Sequence, residues 1–271
     1  MRRIMLTVCL LIGAGAARAE PVEIPLPDGT VLKAELFVPT GKVTAPAIVA
    51  LHGCGGPFPA RDRQWREHLV GQGHIMLFPN SFSSRGLASQ CRVKIGERKV
   101  TSFVVRRSDA IESAKWLAAR PGTPSGGVAL LGWSDGGSTV MAAAKMAPDL
   151  PDGLIRGMIA FYPGCHAANS DAAWKPAAPM LLLMGEADDW TPVKSCRPVA
   201  ARFAPPAVVL VTFPGAYHDF DAPSAVRVMQ NVPSSQNADK SVHVGNNPEA
   251  QAAALKLVTE FLVSLPQAPH P

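Results

Sequence analysis

The chain has 271 residues, enough for one domain with a sizeable core, and its 47% apolar and 17% charged residues exclude an intrinsically disordered protein. The formal net charge is +5, but three of the arginines and none of the acidic residues lie in the first 19 positions. The remaining chain has 23 basic against 21 acidic residues and no run of Lys or Arg, so no nucleic-acid partner is expected.

The first 19 residues have the three parts of a secretory signal peptide. Two arginines precede the apolar run 4–15, and Ala17-Arg18-Ala19 fits the small-residue cleavage site. The run is too short to span a membrane comfortably. The sequence therefore predicts a signal peptide over 1–19, one mature domain over 20–271, a periplasmic or secreted location and no membrane attachment after cleavage.

The mature chain opens with a predicted β-hairpin. Residues 22–26 and 31–38 alternate apolar and polar side chains, and Pro27-Asp28-Gly29-Thr30 between them is a typical turn. Residues 45–51 form a continuous apolar run, which predicts a central strand covered on both faces. Further strands are predicted over 75–78, 128–131, 154–162, 180–184 and 207–213.

Helices are predicted between these strands. The longest covers 97–120, with Phe103 and Val104 among the residues of its apolar stripe. The other helices are predicted over 62–70, 138–146, 192–203 and 248–265, the last with Ala252 in its buried face, and 221–246 is predicted to be a long loop. Because strands and helices alternate, we expect an α/β fold with a mostly parallel sheet and helices on both faces.

A glycine-rich loop, His52-Gly53-Cys54-Gly55-Gly56, follows the first central strand. Such a loop can cradle a phosphate, but no P-loop lysine and hydroxyl follow it. Its position upstream of a candidate nucleophile instead fits a loop that brings a backbone N–H to a reacting carbonyl. The amide of Cys54 is the predicted donor to an oxyanion.

The candidate nucleophile is Ser134, in Gly132-Trp133-Ser134-Asp135-Gly136. The five-residue pattern is short, but an apolar strand precedes it and small, helix-tolerant residues follow it. A strand, a sharp turn and a helix around G-x-S-x-G form a nucleophile elbow, which exposes the serine hydroxyl and aims the next amide at the oxyanion. The amide of Asp135 is therefore the second predicted donor.

Two adjacent aspartates, Asp188 and Asp189, follow the strand 180–184. An acid just past a strand end, downstream of the nucleophile, is placed to orient a histidine. The spacing G-x-x-D-x-x-x-P favours Asp188, and the alternatives are Asp189 as the acid, a helix cap or a solvated charge. Of the seven histidines, His218 follows this acid in the order Ser…Asp…His, on a loop after the last strand. His218 is therefore the predicted general base and acid.

Four motifs together give the chain its family resemblance: LHGCGG (51–56), LLGWSDGG (130–137), LLLMGEADDWTP (181–192) and FPGAYHDF (213–220). Across the mature chain they resemble the dienelactone hydrolase family of α/β hydrolases. The resemblance implies a triad of Ser134, Asp188 and His218, and acyl transfer by such a triad needs no metal or organic cofactor. The name-giving members have cysteine as the nucleophile, so serine at position 134 favours a general serine esterase acting on a small-molecule ester or lactone.

Four cysteines remain after Cys9 of the predicted signal peptide, and an even count in an exported protein predicts two disulfides. Spacing alone leaves three connectivities open. The resemblance implies neighbouring strands before each pair, and hence Cys54–Cys91 and Cys165–Cys196.

The residues that select a substrate are less evident in the sequence. Arg85, on a loop after a strand at the active end, is a candidate for a bidentate contact to a substrate carboxylate, with a surface ion pair as the alternative. Trp133 and Tyr217 are candidates for the pocket wall, with ordinary loop packing as the alternative. An amidase or peptidase, or a non-catalytic binding protein on the same fold, are the competing functions.

Overall fold

The computed structural model describes residues 18–145 and 150–266. The predicted signal peptide lies outside this part except for Arg18 and Ala19, which begin the first strand. None of the described helices is long and apolar enough to cross a membrane.

One eight-stranded sheet forms the centre of the protein. Its strands are β1 (Arg18–Pro25), β2 (Val31–Val38), β3 (Thr44–Leu51), β4 (His74–Pro79), β5 (Val128–Trp133), β6 (Ile155–Phe161), β7 (Met180–Gly185) and β8 (Val208–Phe213). They lie in the order β1-β2-β4-β3-β5-β6-β7-β8. The pairs β1–β2 and β2–β4 are antiparallel and all the other pairs are parallel. The predicted mostly parallel sheet with an N-terminal hairpin is confirmed.

Helices cover both faces of this sheet. They are α1 (Pro59–Gly71), α2 (Arg107–Ala119), α3 (Asp135–Ala143), α4 (His166–Asn169), α5 (Arg197–Ala201) and α6 (Pro248–Ser264). Helices α1 and α6 pack together, and so do α2 and α3. All six residues of β5 and of β7 are buried, as expected for central strands of a parallel sheet with two covered faces.

The helix predicted over 97–120 begins later and differently. A π-helical turn occupies Ser102–Arg106 and leads into α2. The wider turn adds a residue to the helical repeat, so the apolar stripe expected at regular helical spacing is broken there. Phe103 and Val104 are 39% and 63% exposed, contrary to the prediction. Ser102 and Arg106 turn inward instead and are buried.

Three other predictions from the sequence need correction. Residues 221–246 contain a short antiparallel ribbon of β9 (Arg227–Met229) and β10 (Val242–Val244), whose three-residue strands are too short to show a period. Ala252 is exposed on α6, whose buried residues recur every four positions, at Ala250, Ala254, Val258 and Leu262. The segment predicted as a helix over 192–203 is a 3₁₀ turn, Val193–Ser195, followed by the short α5.

Candidate active site

Ser134 lies on a tight turn between β5 and α3. Its φ of 55° and ψ of −116° fall outside the common regions for a residue with a side chain, which is the strain expected at a nucleophile elbow. A Cβ on Gly132 would overlap the backbone of Gly136, and one on Gly136 would overlap the carbonyl oxygen of Leu51. The two glycines of the motif are therefore required by the close approach of backbone to backbone.

A chain of hydrogen bonds joins Ser134, His218 and Asp188. His218 Nε2 lies 2.9 Å from Ser134 Oγ, and His218 Nδ1 lies 2.8 Å from Asp188 Oδ2. A carboxylate only accepts hydrogen bonds, so Asp188 holds the proton on Nδ1 and leaves Nε2 free to accept from the serine hydroxyl. All three residues are buried. This arrangement can move a proton from Ser134 to His218.

Asp188 and Asp189 have different partners although they are adjacent in sequence. Asp188 Oδ1 also accepts from the amides of Trp190 and Thr191, at 2.9 and 2.8 Å. Asp189 points the other way: Oδ2 lies 2.8 Å from His243 Nδ1, and Oδ1 accepts from the His243 amide at 2.9 Å. Asp189 therefore ties the β9–β10 ribbon to the end of β7, and it has no contact with His218.

Opposing effects act on the pKa of His218. Burial alone would lower it, but the negative charge of Asp188 and the hydrogen bond to it outweigh burial, and the pKa is raised above its usual value. The rings of Tyr162 and Trp190 lie 4.5 and 4.7 Å from the imidazole, centroid to centroid. They keep the ring of His218 fixed between Ser134 and Asp188.

Cys54 and Asp135 line the same cavity as Ser134. Residue 135 begins α3, where a helical amide has no intrahelical acceptor. Within residues 18–145 and 150–266, the backbone amides of Cys54 and Asp135 donate to no backbone carbonyl outside the regular helices and strands. A Cβ on Gly53 would stand 3.5 Å from Ser134 Cβ, so the glycine-rich loop passes directly beside the serine. The arrangement has two free donors beside a hydroxyl.

The two disulfides have the connectivity that the family resemblance implied. Cys54 is joined to Cys91 and Cys165 to Cys196. The first anchors the glycine-rich loop to the segment after β4, and the second joins the ends of β6 and β7 through their following segments.

Two cavities meet at Ser134, Cys54 and Trp190. One of about 240 Å³ extends toward Phe58, Arg61, Arg227 and Met229. The other, of about 290 Å³, extends toward Ile95, Arg98, His166 and Gln236. A carbonyl carbon placed at Ser134 therefore has room for one substituent in each direction.

The three residues predicted to contact substrate lie elsewhere. Arg85 makes a bidentate ion pair with buried Asp109, at 2.9 and 2.7 Å, so its guanidinium is already occupied. Tyr217 stacks on His243 of β10, with ring centroids 4.9 Å apart. Trp133 is fully buried beneath the turn and donates from Nε1 to Asp221 at 2.9 Å. None of the three lines either cavity at Ser134.

Asp221 is a buried residue of this region that the sequence analysis missed. Its carboxylate accepts from Trp65 Nε1, Trp133 Nε1 and the Tyr162 hydroxyl, at 2.7, 2.9 and 2.6 Å. Burial raises the pKa of this carboxyl. The residue connects the His218 loop to α1 and to the ends of β5 and β6. The sequence around Asp221 does not predict this role, because the three groups that donate hydrogen bonds to its carboxylate come from distant parts of the chain.

A mostly parallel sheet that carries a serine on a strand-to-helix turn, with an acid and a histidine on later strand-end loops in the order Ser…Asp…His, defines the α/β-hydrolase class. The dienelactone hydrolase family model matches residues 32–265. The chain therefore belongs to the dienelactone hydrolase family, and it is a carboxylic ester hydrolase.

Solved structures show the same fold at low sequence identity. A putative dienelactone hydrolase from Klebsiella pneumoniae subsp. pneumoniae MGH 78578 superposes with a TM-score of 0.69 at 18% identity, covering 92% of this chain and 100% of the other. A dienelactone hydrolase-like promiscuous phosphotriesterase from metagenomic libraries gives 0.67 at 19% identity, covering 91% and 99%. Thermogutta terrifontis esterase 2 gives 0.62 at 22% identity, covering 90% and 94%. No curated protein matches the sequence.

Proposed function

We propose that the protein is an exported serine hydrolase that cleaves carboxylic esters or lactones through an acyl-enzyme, with Ser134 as nucleophile, His218 as general base and acid, and Asp188 as the orienting acid. The observation that carries this proposal is the hydrogen-bonded chain from Ser134 Oγ through His218 to Asp188. The free amides of Cys54 and Asp135 beside it support an oxyanion hole.

In the first half-reaction, Ser134 Oγ bonds to the substrate carbonyl carbon while its proton passes to His218 Nε2. The carbonyl oxygen becomes an oxyanion and accepts hydrogen bonds from the amides of Cys54 and Asp135, each worth about 3–4 kcal/mol of transition-state stabilisation. The bond from the carbon to the alcohol oxygen then breaks, and that oxygen takes the proton from His218. An acyl-enzyme and a free alcohol result; in a lactone the alcohol stays attached to the acyl group.

In the second half-reaction, water attacks the acyl carbon and gives one proton to His218 Nε2. The bond to Ser134 Oγ breaks, the serine recovers the proton, and the carboxylic acid departs. Asp188 stabilises the imidazolium in both steps because its carboxylate accepts the hydrogen bond from His218 Nδ1. Every proton that leaves an oxygen returns to an oxygen, so the enzyme ends as it began.

Export is supported by the A-x-A site at 17–19 and by the two disulfides, which form in oxidising compartments. Cleavage after Ala19 would make Glu20 the first residue and leave β1 paired with β2 from Glu20↔Leu36 onward. N-terminal sequencing of protein from the periplasm or medium tests this, and a chain that retains Arg2 and Arg3 there would contradict it.

The role of Ser134 is tested with Ser134→Ala, with Ser264→Ala as the matched control on an exposed position of α6. We expect kcat for a p-nitrophenyl ester to fall by about 10⁶-fold in the first variant and to stay unchanged in the second. Labelling by a fluorophosphonate should likewise disappear only in Ser134→Ala. Retained turnover in folded Ser134→Ala would refute the assignment, and a panel of esters, lactones and peptides would identify the bond cleaved.

A further inference from the structure

The two proposed oxyanion amides belong to different segments of the chain. Cys54 lies on the loop after β3, whereas Asp135 begins α3 after β5. The two segments touch directly, since a Cβ on Gly136 would stand 2.6 Å from the His52 carbonyl oxygen. An oxyanion hole needs both donors within about 3 Å of one oxygen, so the position of one segment relative to the other determines whether the site works.

One buried guanidinium bridges these two segments. Arg106 is 1% exposed. Its Nη1 pairs with Asp135 Oδ2, and its Nη2 donates to the His52 carbonyl oxygen at 2.6 Å. The carbonyl of His52 lies two residues before the Cys54 amide, and the Asp135 side chain belongs to the second donor residue itself. A planar guanidinium with two fixed N–H directions sets both contacts at once.

Two other side chains, those of Ser102 and Phe82, contact Arg106 and Asp135 and fix their positions. Ser102 Oγ donates to Asp135 Oδ1 at 2.6 Å, so the π-helical turn supplies two ligands to one carboxylate. The ring of Phe82 lies 5.2 Å from the Arg106 guanidinium carbon and 4.7 Å, centroid to centroid, from the His52 imidazole. Ser102 and Arg106 lie four positions apart on one face of the π-helical turn, so both side chains reach Asp135.

The surroundings of Asp135 favour the ionised form of its carboxyl group. Burial alone would raise the pKa of Asp135, but the charges of Arg106 and Arg98 and the hydrogen bond from Ser102 outweigh it and hold the pKa below its usual range. A carboxylate beside the forming oxyanion would by itself repel it. Two arginines around this carboxylate, Arg106 in contact and Arg98 at 3.6 Å, leave the local charge positive.

Resting on the proposed function, we infer that Arg106 is a positioning residue, which holds the Cys54 and Asp135 amides at the separation that one oxyanion requires. Arg106 lines neither of the two cavities that meet at Ser134. Its effect therefore falls on the transition state, in which the oxyanion exists, and not on substrate binding. Displacement of one donor by about 1 Å costs on the order of 100-fold in rate.

The test compares Arg106→Lys and Ser102→Ala with Arg107→Lys, a control on the next, half-buried position. Lysine keeps the positive charge, but its ammonium group cannot make the two N–H contacts, in fixed directions, that the guanidinium makes. We expect Arg106→Lys to lower kcat by about 30-fold with KM within about 3-fold, and Ser102→Ala to lower kcat by about 5-fold. Affinity for an alkylboronic acid, which forms a tetrahedral adduct on serine, should fall in parallel with kcat. Arg107→Lys should match the unaltered enzyme.

Rates are to be given per active serine, counted by end-point fluorophosphonate labelling, so that loss of folded protein does not count as loss of kcat. Wild-type kcat in Arg106→Lys, or a rise in KM that accounts for the whole loss of activity, would overturn the inference. Ser102→Ala keeps the test valid if Arg106→Lys does not fold, because it removes one hydroxyl only. If the unaltered enzyme neither turns over esters nor reacts with the probe at Ser134, the proposed function itself fails, which is a different result.

Discussion

The two disulfides close loops of similar length, but only Cys54–Cys91 is attached to the proposed oxyanion loop. Cys165–Cys196 is therefore a control for the effect of removing Cys54–Cys91. Cys54–Cys91 spans 37 residues and Cys165–Cys196 spans 31. In the chain-entropy relation these loops correspond to about 3.8 and about 3.7 kcal/mol of stabilisation. Removing either disulfide should therefore lower the free energy of unfolding by a similar amount.

The effect on activity should differ between the two. Cys54 carries a proposed oxyanion amide, so the pair Cys54→Ala and Cys91→Ala frees the loop that positions it. We expect this double variant to lose about 10- to 100-fold in kcat, because the donor is no longer fixed in place. The double variant at Cys165 and Cys196 lacks that link to the amide and should keep kcat within about 3-fold.

The assay combines thermal unfolding with ester kinetics at a temperature where both variants are folded. A loss of about 4 kcal/mol corresponds to a fall in Tm of roughly 8–16 °C for a domain of this size. Each double variant should show a fall of this order. If the Cys54 and Cys91 variant loses stability but keeps the kcat of the unaltered enzyme, the disulfide does not hold the oxyanion loop and the reasoning is refuted.

Two further predictions concern the acid and the base. Asp188→Asn should lower kcat by about 10⁴-fold, because an amide cannot hold the required histidine tautomer. Asp189→Asn weakens the contact to His243, so it should keep kcat within about 3-fold and lower the free energy of unfolding by about 1–2 kcal/mol. A larger loss of kcat in Asp189→Asn than in Asp188→Asn would exchange the roles of the two residues. The raised pKa of His218 means that the protonated, inactive imidazole persists to a higher pH. The acid limb of kcat/KM should then have its midpoint above about 6.5, the ordinary imidazole value, and a midpoint at or below pH 6 would contradict this.

Much of the architecture follows from local patterns in the sequence. The continuous apolar runs of β3, β5 and β7 predict central strands, because side chains on both faces of such strands are buried. The motif around Ser134 predicts its own turn, since the glycines at 132 and 136 are the residues that backbone contact at those positions requires. Ser134, Asp188 and His218 follow the carboxyl ends of β5, β7 and β8, which are parallel strands and so end at the same edge of the sheet.

Other features depend on contacts between distant segments, and the sequence does not encode them locally. Arg85 follows a strand at the active end, but buried Asp109 on α2 binds its guanidinium. In the sequence Asp221 is an acid on a predicted loop, whereas in the structure Trp65, Trp133 and Tyr162 all donate hydrogen bonds to its carboxylate.

The sequence by itself determined the class of sheet, the elbow at Ser134 and the candidate residues of the proposed triad, because each depends on a short stretch of chain and its order. Only the tertiary structure shows that Asp188, and not Asp189, is hydrogen-bonded to His218, and that Arg106 lies between the two proposed oxyanion segments. The spacing in the sequence favours Asp188 but leaves Asp189 open as the alternative, and in the folded chain His218 lies against the first and His243 against the second. A guanidinium that bridges two segments has no local pattern, because its partners are 54 and 29 residues away.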